Sequence, residues 1–400
     1  MATVNPIPDV PPPSERSGDG LLVLLAAMPQ EQRESLLANL MASFPAEALL
    51  IASPDAISDA LPENSYPSLR IVAAPASGIS WTLTAADFVN ASQLAEKNGA
   101  RAILMLGRES SSLGVSALRD LANSVLTAST DLAIPCYDLP PHTGLVNSAI
   151  LYPLTSALFA SRVRFPLAVD LGLSLRMAER LAGAAQHFTR LNQGEAPLWP
   201  VNEATVAGFA IDQLEVGPHV QPNGPDLNTI FPLVTGALFS DIEAKAAFWQ
   251  RFRPLPPALS TVPMPSAHTA DAAADIAPML QAFQLAYTNL QEIWSLVLPP
   301  NSLLGLKRIA TADAATFRIS DNLWARIVYD FLLAYRLRTI NRGHLLGALI
   351  PLYLAWVASH INITTSGTNP ESHIEAVVNA FEAEKTYLIS RWRWPDRFNP

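Results

Sequence analysis

Runs of consecutive apolar residues, each closed by glycine, proline or a polar cluster, recur along the first half of the chain. Residues 21–27 (Leu-Leu-Val-Leu-Leu-Ala-Ala) are such a run. Residues 30–43 follow with apolar positions at Leu36, Leu37, Leu40 and Met41, the spacing of one helix face. Together they predict a strand and then a helix. Residues 48–52 and 69–73 predict two more short strands, and residues 85–98 a helix closed by Gly99. Residues 102–106 are apolar throughout, the pattern of a central parallel strand buried on both faces. Further on, the pattern predicts helix at 116–128, strand at 132–137, an amphipathic helix holding Pro153 at 147–160, helix at 173–183 and strand at 207–214. Strands alternating with helices predict an α/β fold: a doubly wound, mostly parallel sheet with its ligand edge at the carboxyl ends of the strands.

The texture then changes. From Asp226 helical spacing runs to Trp249, a proline-rich break covers 253–265, and helices are predicted at 283–297, 323–338, 344–360 and 374–391. The expected organisation is a disordered tail over 1–20, an α/β domain over 21–255 and an all-helical region over 256–400. Residues 345–361 are apolar enough to raise the question of a membrane, but Pro351, Tyr353, Trp356 and His360 interrupt a stretch that barely reaches spanning length. The expectation is a buried helix and no transmembrane segment. A role at a membrane surface would need that helix exposed, with its apolar side outward.

Composition narrows the function classes. Half of the 400 residues are apolar, enough for a sizeable core. A net charge of -9 drawn from only 15% charged residues supplies no basic stripe, which argues against a nucleic-acid partner. Cys136 is the only cysteine, so no intramolecular disulfide or cysteine zinc cage is available, in keeping with a reducing cytoplasm. The first residues lack the basic-then-apolar order of a secretory signal. Nucleophile-elbow, phosphate-loop and dinucleotide glycine motifs are missing from the sequence.

Candidate chemistry gathers where the 102–106 strand ends, at Gly107-Arg108-Glu109. Two roles are open to Arg108: its forked guanidinium suits a diphosphate, or it is a surface arginine beside a surface glutamate. His142, in Pro-Pro-His-Thr-Gly, is open to the same division between an anion contact and a polar loop residue. Arg162 and Arg164 offer charge for an acidic small molecule.

In the order of its segments the chain resembles the retaining glycosyltransferases of the mannosylglycerate and glucosylglycerate synthase type, which have a glycosyltransferase-A fold and a helical C-terminal extension. Four passages carry the likeness. Residues 102–112 are similar to the family strand that ends in Asp-X-Asp, and 147–159 (Asn-Ser-Ala-Ile-Leu-Tyr-Pro-Leu-Thr-Ser-Ala-Leu-Phe) to the helix before the acceptor region. Residues 164–174 resemble a Gln-Pro-(Ile or Leu)-Gly-Gly-acid segment. Gly217-Pro-His219 with Asp226-Leu227 resembles Gly-Lys-X-His and a later Asp-Leu. The helical stretch from Tyr329 to Leu352 also looks like the glucosylglycerate branch.

The resemblance implies transfer of a hexose from a nucleotide diphosphate sugar to a small, glycerate-like acceptor, with Mn or Mg neutralising the departing diphosphate. It places the metal on Glu109 and His219, the diphosphate near Gly107, Arg108 and Glu109, and the acceptor near His142, Thr143, Asn147 and Arg164. Asp170 matches the acid that closes the glycine pair, where contact with a sugar hydroxyl and capping of the helix near Leu173 are both open. Asn202 matches an acid in a Gly-Ile-Asp segment. The expected partners are a nucleotide sugar and the acceptor, and homodimerisation is open.

This chain departs from the pattern at several of those positions. Gly107 stands for the first acid, Ala168 and Val169 for the two glycines, and Asn202 for an acid, while residues 73–86 hold no lysine. Loss at several positions together raises the alternative of a catalytically degenerate member acting as a binding or regulatory module.

Overall fold

The computed structural model describes residues 20–44, 49–54, 69–75, 81–127, 129–191, 193–220, 226–251 and 275–394. The expected tail, the proline-rich break and the loop after Val220 lie outside the described residues.

In chain order the elements are β1 (Leu21–Leu25), α1 (Gln30–Ser43), β2 (Leu49–Ser53), β3 (Leu69–Ala73), α2 (Ala85–Asn98), β4 (Ala102–Leu106), α3 (Val115–Leu126) and β5 (Leu132–Asp138). A wide π-type turn, Asn147–Leu151, leads into α4 (Tyr152–Phe159), followed by β6 (Leu171–Ser174), α5 (Leu175–Arg190), α6 (Pro200–Ala207), β7 (Ile211–Pro218), α7 (Leu227–Ala244) and α8 (Ala246–Trp249). The C-terminal part holds α9 (Ala277–Asn289), α10 (Gln291–Val297), α11 (Pro300–Ala310), α12 (Asp321–Leu337), α13 (Arg342–Thr365), α14 (Pro370–Ala383) and α15 (Lys385–Arg393). The fold is thus α/β with a helical C-terminal extension.

The seven strands lie in the order β3-β2-β1-β4-β6-β5-β7. All pairings are parallel except those of β6, which runs antiparallel to both β4 and β5. The central strands β1 and β4 are continuously apolar because both their faces are covered. Their neighbour β6 is the departure from expectation: a helix was predicted to begin at Leu173, but 171–174 is a strand and the helix starts at Leu175 behind Ser174, whose hydroxyl accepts from the Met177 N–H. Gly172 permits this strand, since a Cβ there would come within 2.6 Å of the Leu121 carbonyl oxygen.

A second correction falls at 207–214. Residues 200–207 form a helix that Gly208 ends at φ 72°, and the strand begins only at Ile211. Glu384 splits the expected 374–391 helix in two, and α11 joins the helices expected in the C-terminal part.

Two apolar cores are present among the described residues. One lies around the sheet, beneath α1, α2, α3 and α5. The other joins α4, Trp199 and 231–249 to the C-terminal helices. The amphipathic helix expected at 147–160 is corrected: it opens with the wide turn, and every residue of α4 is buried, Thr155 and Ser156 included. The Trp324 indole N–H donates to the Ala149 carbonyl at 2.8 Å and pins the wide turn to α12. Helix α13, the segment that raised the membrane question, is 72% buried over its most apolar stretch and lies in this core.

Candidate functional site

The strand order changes direction between β1 and β4, so a crevice opens at the carboxyl end of β4, the usual ligand edge of such a sheet. There the antiparallel register pairs Met105 with Leu171. Continuing it by two residues sets Val169 opposite Gly107. The consequence is steric: a Cβ on residue 107 would lie 2.6 Å from Val169 Cγ2 and 3.1 Å from Val169 Cβ. Residue 107 is therefore covered by an isopropyl group.

Asp170 is fully buried at the same corner. Its Oδ1 accepts from the Gly107 N–H at 2.9 Å and from the Ser110 hydroxyl, and its Oδ2 accepts from the Tyr137 hydroxyl at 2.6 Å. Burial, followed by the charge of Asp170, pushes the Tyr137 phenol well above its ordinary range, so it stays a donor. Asp170 thus ties the end of β4 to β5.

Glu109 and His219 flank this knot. His219, which follows β7, stacks on the Tyr137 ring at 4.3 Å, and its Nδ1 lies 2.9 Å from the Ser112 hydroxyl. That hydroxyl also donates to the Glu109 carbonyl at 2.8 Å. Burial lowers the His219 pKa, and the nearby charges of Asp170 and Glu109 oppose the shift without reversing it. The Arg108 side chain is 43% exposed, with Nε 4.0 Å from Glu109 Oε1.

A divalent ion was the expected cofactor. Glu109 and His219 are donors of the right type, but both oxygens of Asp170 are committed, and among the described residues no three His, Cys, Asp or Glu side chains form a metal-ligand group. A hard cation with about six oxygen ligands finds two protein donors here, so diphosphate oxygens and water would have to complete its shell.

The other expected site residues separate. Asn202 is buried on α6, where it donates to Asp241 at 2.8 Å in a cluster with Lys245 and Glu203. It does not reach the Gly107 corner's hydrogen bonds. Arg164 is 4% exposed and binds Glu371 of α14 through two contacts of 2.9 Å, with Ser148 at 3.0 Å. Asn147 donates to the Arg164 carbonyl at 2.9 Å. His142 adopts a left-handed backbone, φ 65°, and its Nε2 lies 3.0 Å from the Thr364 hydroxyl. Thr143, beside it, lines a small hollow with Arg164 and His360.

Two spaces flank the corner. Beside the ends of β1 and β4, where a doubly wound sheet would receive a nucleotide, a hollow of about 30 Å³ is walled by Leu24, Ala26, Pro75, Leu83, Gly107 and Val169. On the other side, between the ends of β5 and β7 and helices α7, α9 and α13, lies a cavity of about 500 Å³. Its walls include Trp81, Leu139, Leu151, Phe165, Val169, Ile230, Met279 and Val357, with Tyr137, His142, Asn147, His219 and Tyr353 as the polar groups. The size is that of a small-molecule site. Sequence reasoning missed Tyr137, Ser110, Ser112 and Tyr353. Ser110 and Ser112 had a signal, three serines directly after the corner; Tyr353 had none, since it reads as one residue of an apolar helix.

No family model matches the chain, and no curated protein matches it in sequence. Among solved structures, glucosyl-3-phosphoglycerate synthase from Mycobacterium tuberculosis in complex with Mn2+ and UDP-glucose is 14% identical, over 56% of this chain and 79% of its own, at a TM-score of 0.36. The same enzyme with Mn2+, UDP and glucosyl-3-phosphoglycerate gives 15% identity over 56% and 80%, at 0.37. A mycobacterial protein gives 13% over 56% and 74%, at 0.36. At such scores the likeness carries nothing about the site, which stands on this chain's own residues.

Proposed function

We propose that this chain is a small-molecule-binding protein built on a glycosyltransferase-like architecture, in which the corner for hexosyl transfer has been closed. The observation that carries this reading is Val169 packed on Gly107, in the register that β6 imposes. A hexosyltransferase needs charge there to take up the diphosphate as it leaves. This corner instead offers an isopropyl group, a carboxylate fully engaged in hydrogen bonds, and a hollow of about 30 Å³ on the nucleotide side.

A second reading is favoured by one arrangement: Arg108, Glu109 and His219 remain around the same corner. In that reading Glu109 and His219 hold Mn or Mg, Arg108 takes diphosphate charge, and a hexose passes to a glycerate-like acceptor.

Thermal unfolding with UDP-glucose and Mn2+ or Mg2+ separates the two, together with an assay for UDP release in the presence of glycerate or 3-phosphoglycerate. A ligand at ten times its Kd stabilises the folded state by about 1.4 kcal/mol. The binding-protein reading expects no donor-dependent shift at millimolar UDP-glucose and no UDP release. A saturable, metal-dependent shift or turnover overturns it in favour of the second.

A further inference from the structure

The cavity of about 500 Å³ between the ends of β5 and β7 and helices α7, α9 and α13 has a composition that selects its ligand. Among the described residues lining it there is no Asp, Glu, Lys or Arg side chain. A phosphate or carboxylate placed inside would lose its hydration with no opposite charge to meet it, a cost of several kcal/mol or more. Hydrocarbon suffers no such cost, and each buried methylene contributes about 0.8 kcal/mol.

Inside the cavity the Tyr353 hydroxyl lacks a hydrogen-bond partner among the described residues. Tyr353 is 5% exposed and lines the space, yet its hydroxyl makes no hydrogen bond to any described residue. Its ring packs on Phe231 at 5.1 Å, which fixes the side chain's position. The hydroxyl oxygen is therefore open to whatever occupies the cavity, as the polar tip of an otherwise apolar ring. His219 also lines the cavity; its Nδ1 is taken by Ser112, so only Nε2 is left for a ligand. The wall also contains two irregular segments of the kind that gather at binding sites: the wide turn Asn147–Leu151 and the left-handed His142.

We infer that this cavity binds an uncharged, predominantly hydrocarbon molecule carrying one hydroxyl or carbonyl oxygen, which pairs with the Tyr353 hydroxyl. This rests on the binding-protein reading and names its ligand class.

The test uses the full chain and the neutral fluorescent probe N-phenyl-1-naphthylamine, with farnesol and farnesyl diphosphate as competitors that share a hydrocarbon body and differ in charge. The expected result is saturable probe fluorescence at one site per chain, displaced by farnesol and not by the diphosphate. Ile230→Trp on α7 and Leu354→Trp on α13 fill the space from two different helices, and each should reduce probe binding by ten-fold or more at an unchanged melting temperature. If one variant fails to fold, the other carries the test. Tyr353→Phe should weaken farnesol about 3- to 10-fold, the worth of one hydrogen bond, while leaving the probe within about two-fold. No saturable probe signal, a signal indifferent to both tryptophan variants, or equal displacement by farnesyl diphosphate overturns the inference. UDP-glucose turnover with Mn2+ would instead sink the binding-protein reading, whatever the probe shows.

Discussion

The contact between Val169 and Gly107 sets a coupling that mutagenesis can measure. A methyl group on residue 107 would sit 2.6 Å from Val169 Cγ2, well inside the optimum of about 3.5–4.0 Å for two carbons. Val169 has little room to retreat. Its backbone extends the β4–β6 register, and the next residue, Asp170, is tied to Gly107, Ser110 and Tyr137. Gly107→Ala therefore forces Val169 off its rotamer or shifts the strand end, and such overpacking costs about 1–3 kcal/mol. Val169→Ala removes two methyl groups from a half-buried side chain and should cost about 1 kcal/mol or less. In the double variant the 2.6 Å contact is gone and the closest remaining neighbour is the residue 169 Cβ at 3.1 Å. The pair should then be more stable than the sum of the single effects by about 1–2 kcal/mol, where independent sites would add within about 0.3–0.5 kcal/mol. Urea unfolding of the four proteins, followed by tryptophan fluorescence, reads this directly. If Gly107→Ala matches the wild type, or the two changes simply add, Val169 is free to leave the corner and the steric case against a bound diphosphate collapses.

Other consequences are equally open to measurement. Burial, with the positive neighbours His373, His142 and Arg164, holds His360 down at about 3. Below about pH 6.5 the unfolded chain therefore takes up a proton that the folded chain refuses, so this residue costs about 1.4 kcal/mol of stability per pH unit, or about 2 kcal/mol between pH 6.5 and 5. His360→Gln should flatten the stability-against-pH curve over that window, and parallel curves would show that His360 does not carry the effect. Arg164→Ala leaves Glu371 without its two-point partner in a mostly buried setting and should cost about 3–5 kcal/mol by urea unfolding; a loss below 1 kcal/mol would mean that α14 is held elsewhere. Tyr137→Phe removes the donor to Asp170 Oδ2 and should cost about 1.5–3 kcal/mol, whereas an unchanged midpoint would show the carboxylate to be satisfied without it.

The strands with unbroken apolar runs, β1, β4 and β5, were legible because burial on both faces leaves a simple signature in sequence. Helices α1, α2 and α12 were legible from their spacing and their ends. Strand β6 was not: Leu-Gly-Leu-Ser is only four residues long, and its antiparallel place between β4 and β5 is decided by tertiary pairing, with Gly172 passing close to the α3 backbone. The error at 207–214 has the same source. Val206 and Ala207 end a helix because Pro200 can open one and Gly208 can close it, signals local to the ends and invisible in the run of apolar residues between. At the site, the sequence placed Gly107, Glu109, Asp170 and His219 near one sheet edge, and the structure brings all four there. It could not show that Asp170 would be consumed by hydrogen bonds, because its three donors come from residues 107, 110 and 137.

The changes at this corner depend on one another. With an acid at 107, Val169 could not keep its place, since even the first side-chain carbon meets it at 2.6 Å. With glycine at 169, a glycine at 107 would leave an unfilled gap beside a buried carboxylate, and gaps in well-packed interiors are costly. Gly107 and Val169 are therefore complementary: the smaller residue on β4 is matched by the larger one entering β6. The same Val169 forms part of the wall of the apolar cavity, with Ala168 and Trp81. One side chain thus both takes up room beside residue 107 and adds hydrocarbon to the neighbouring space. Introducing an acid alone, by Gly107→Asp, should accordingly lower stability without conferring UDP-glucose binding, and a second change that clears residue 169 should recover part of the lost stability.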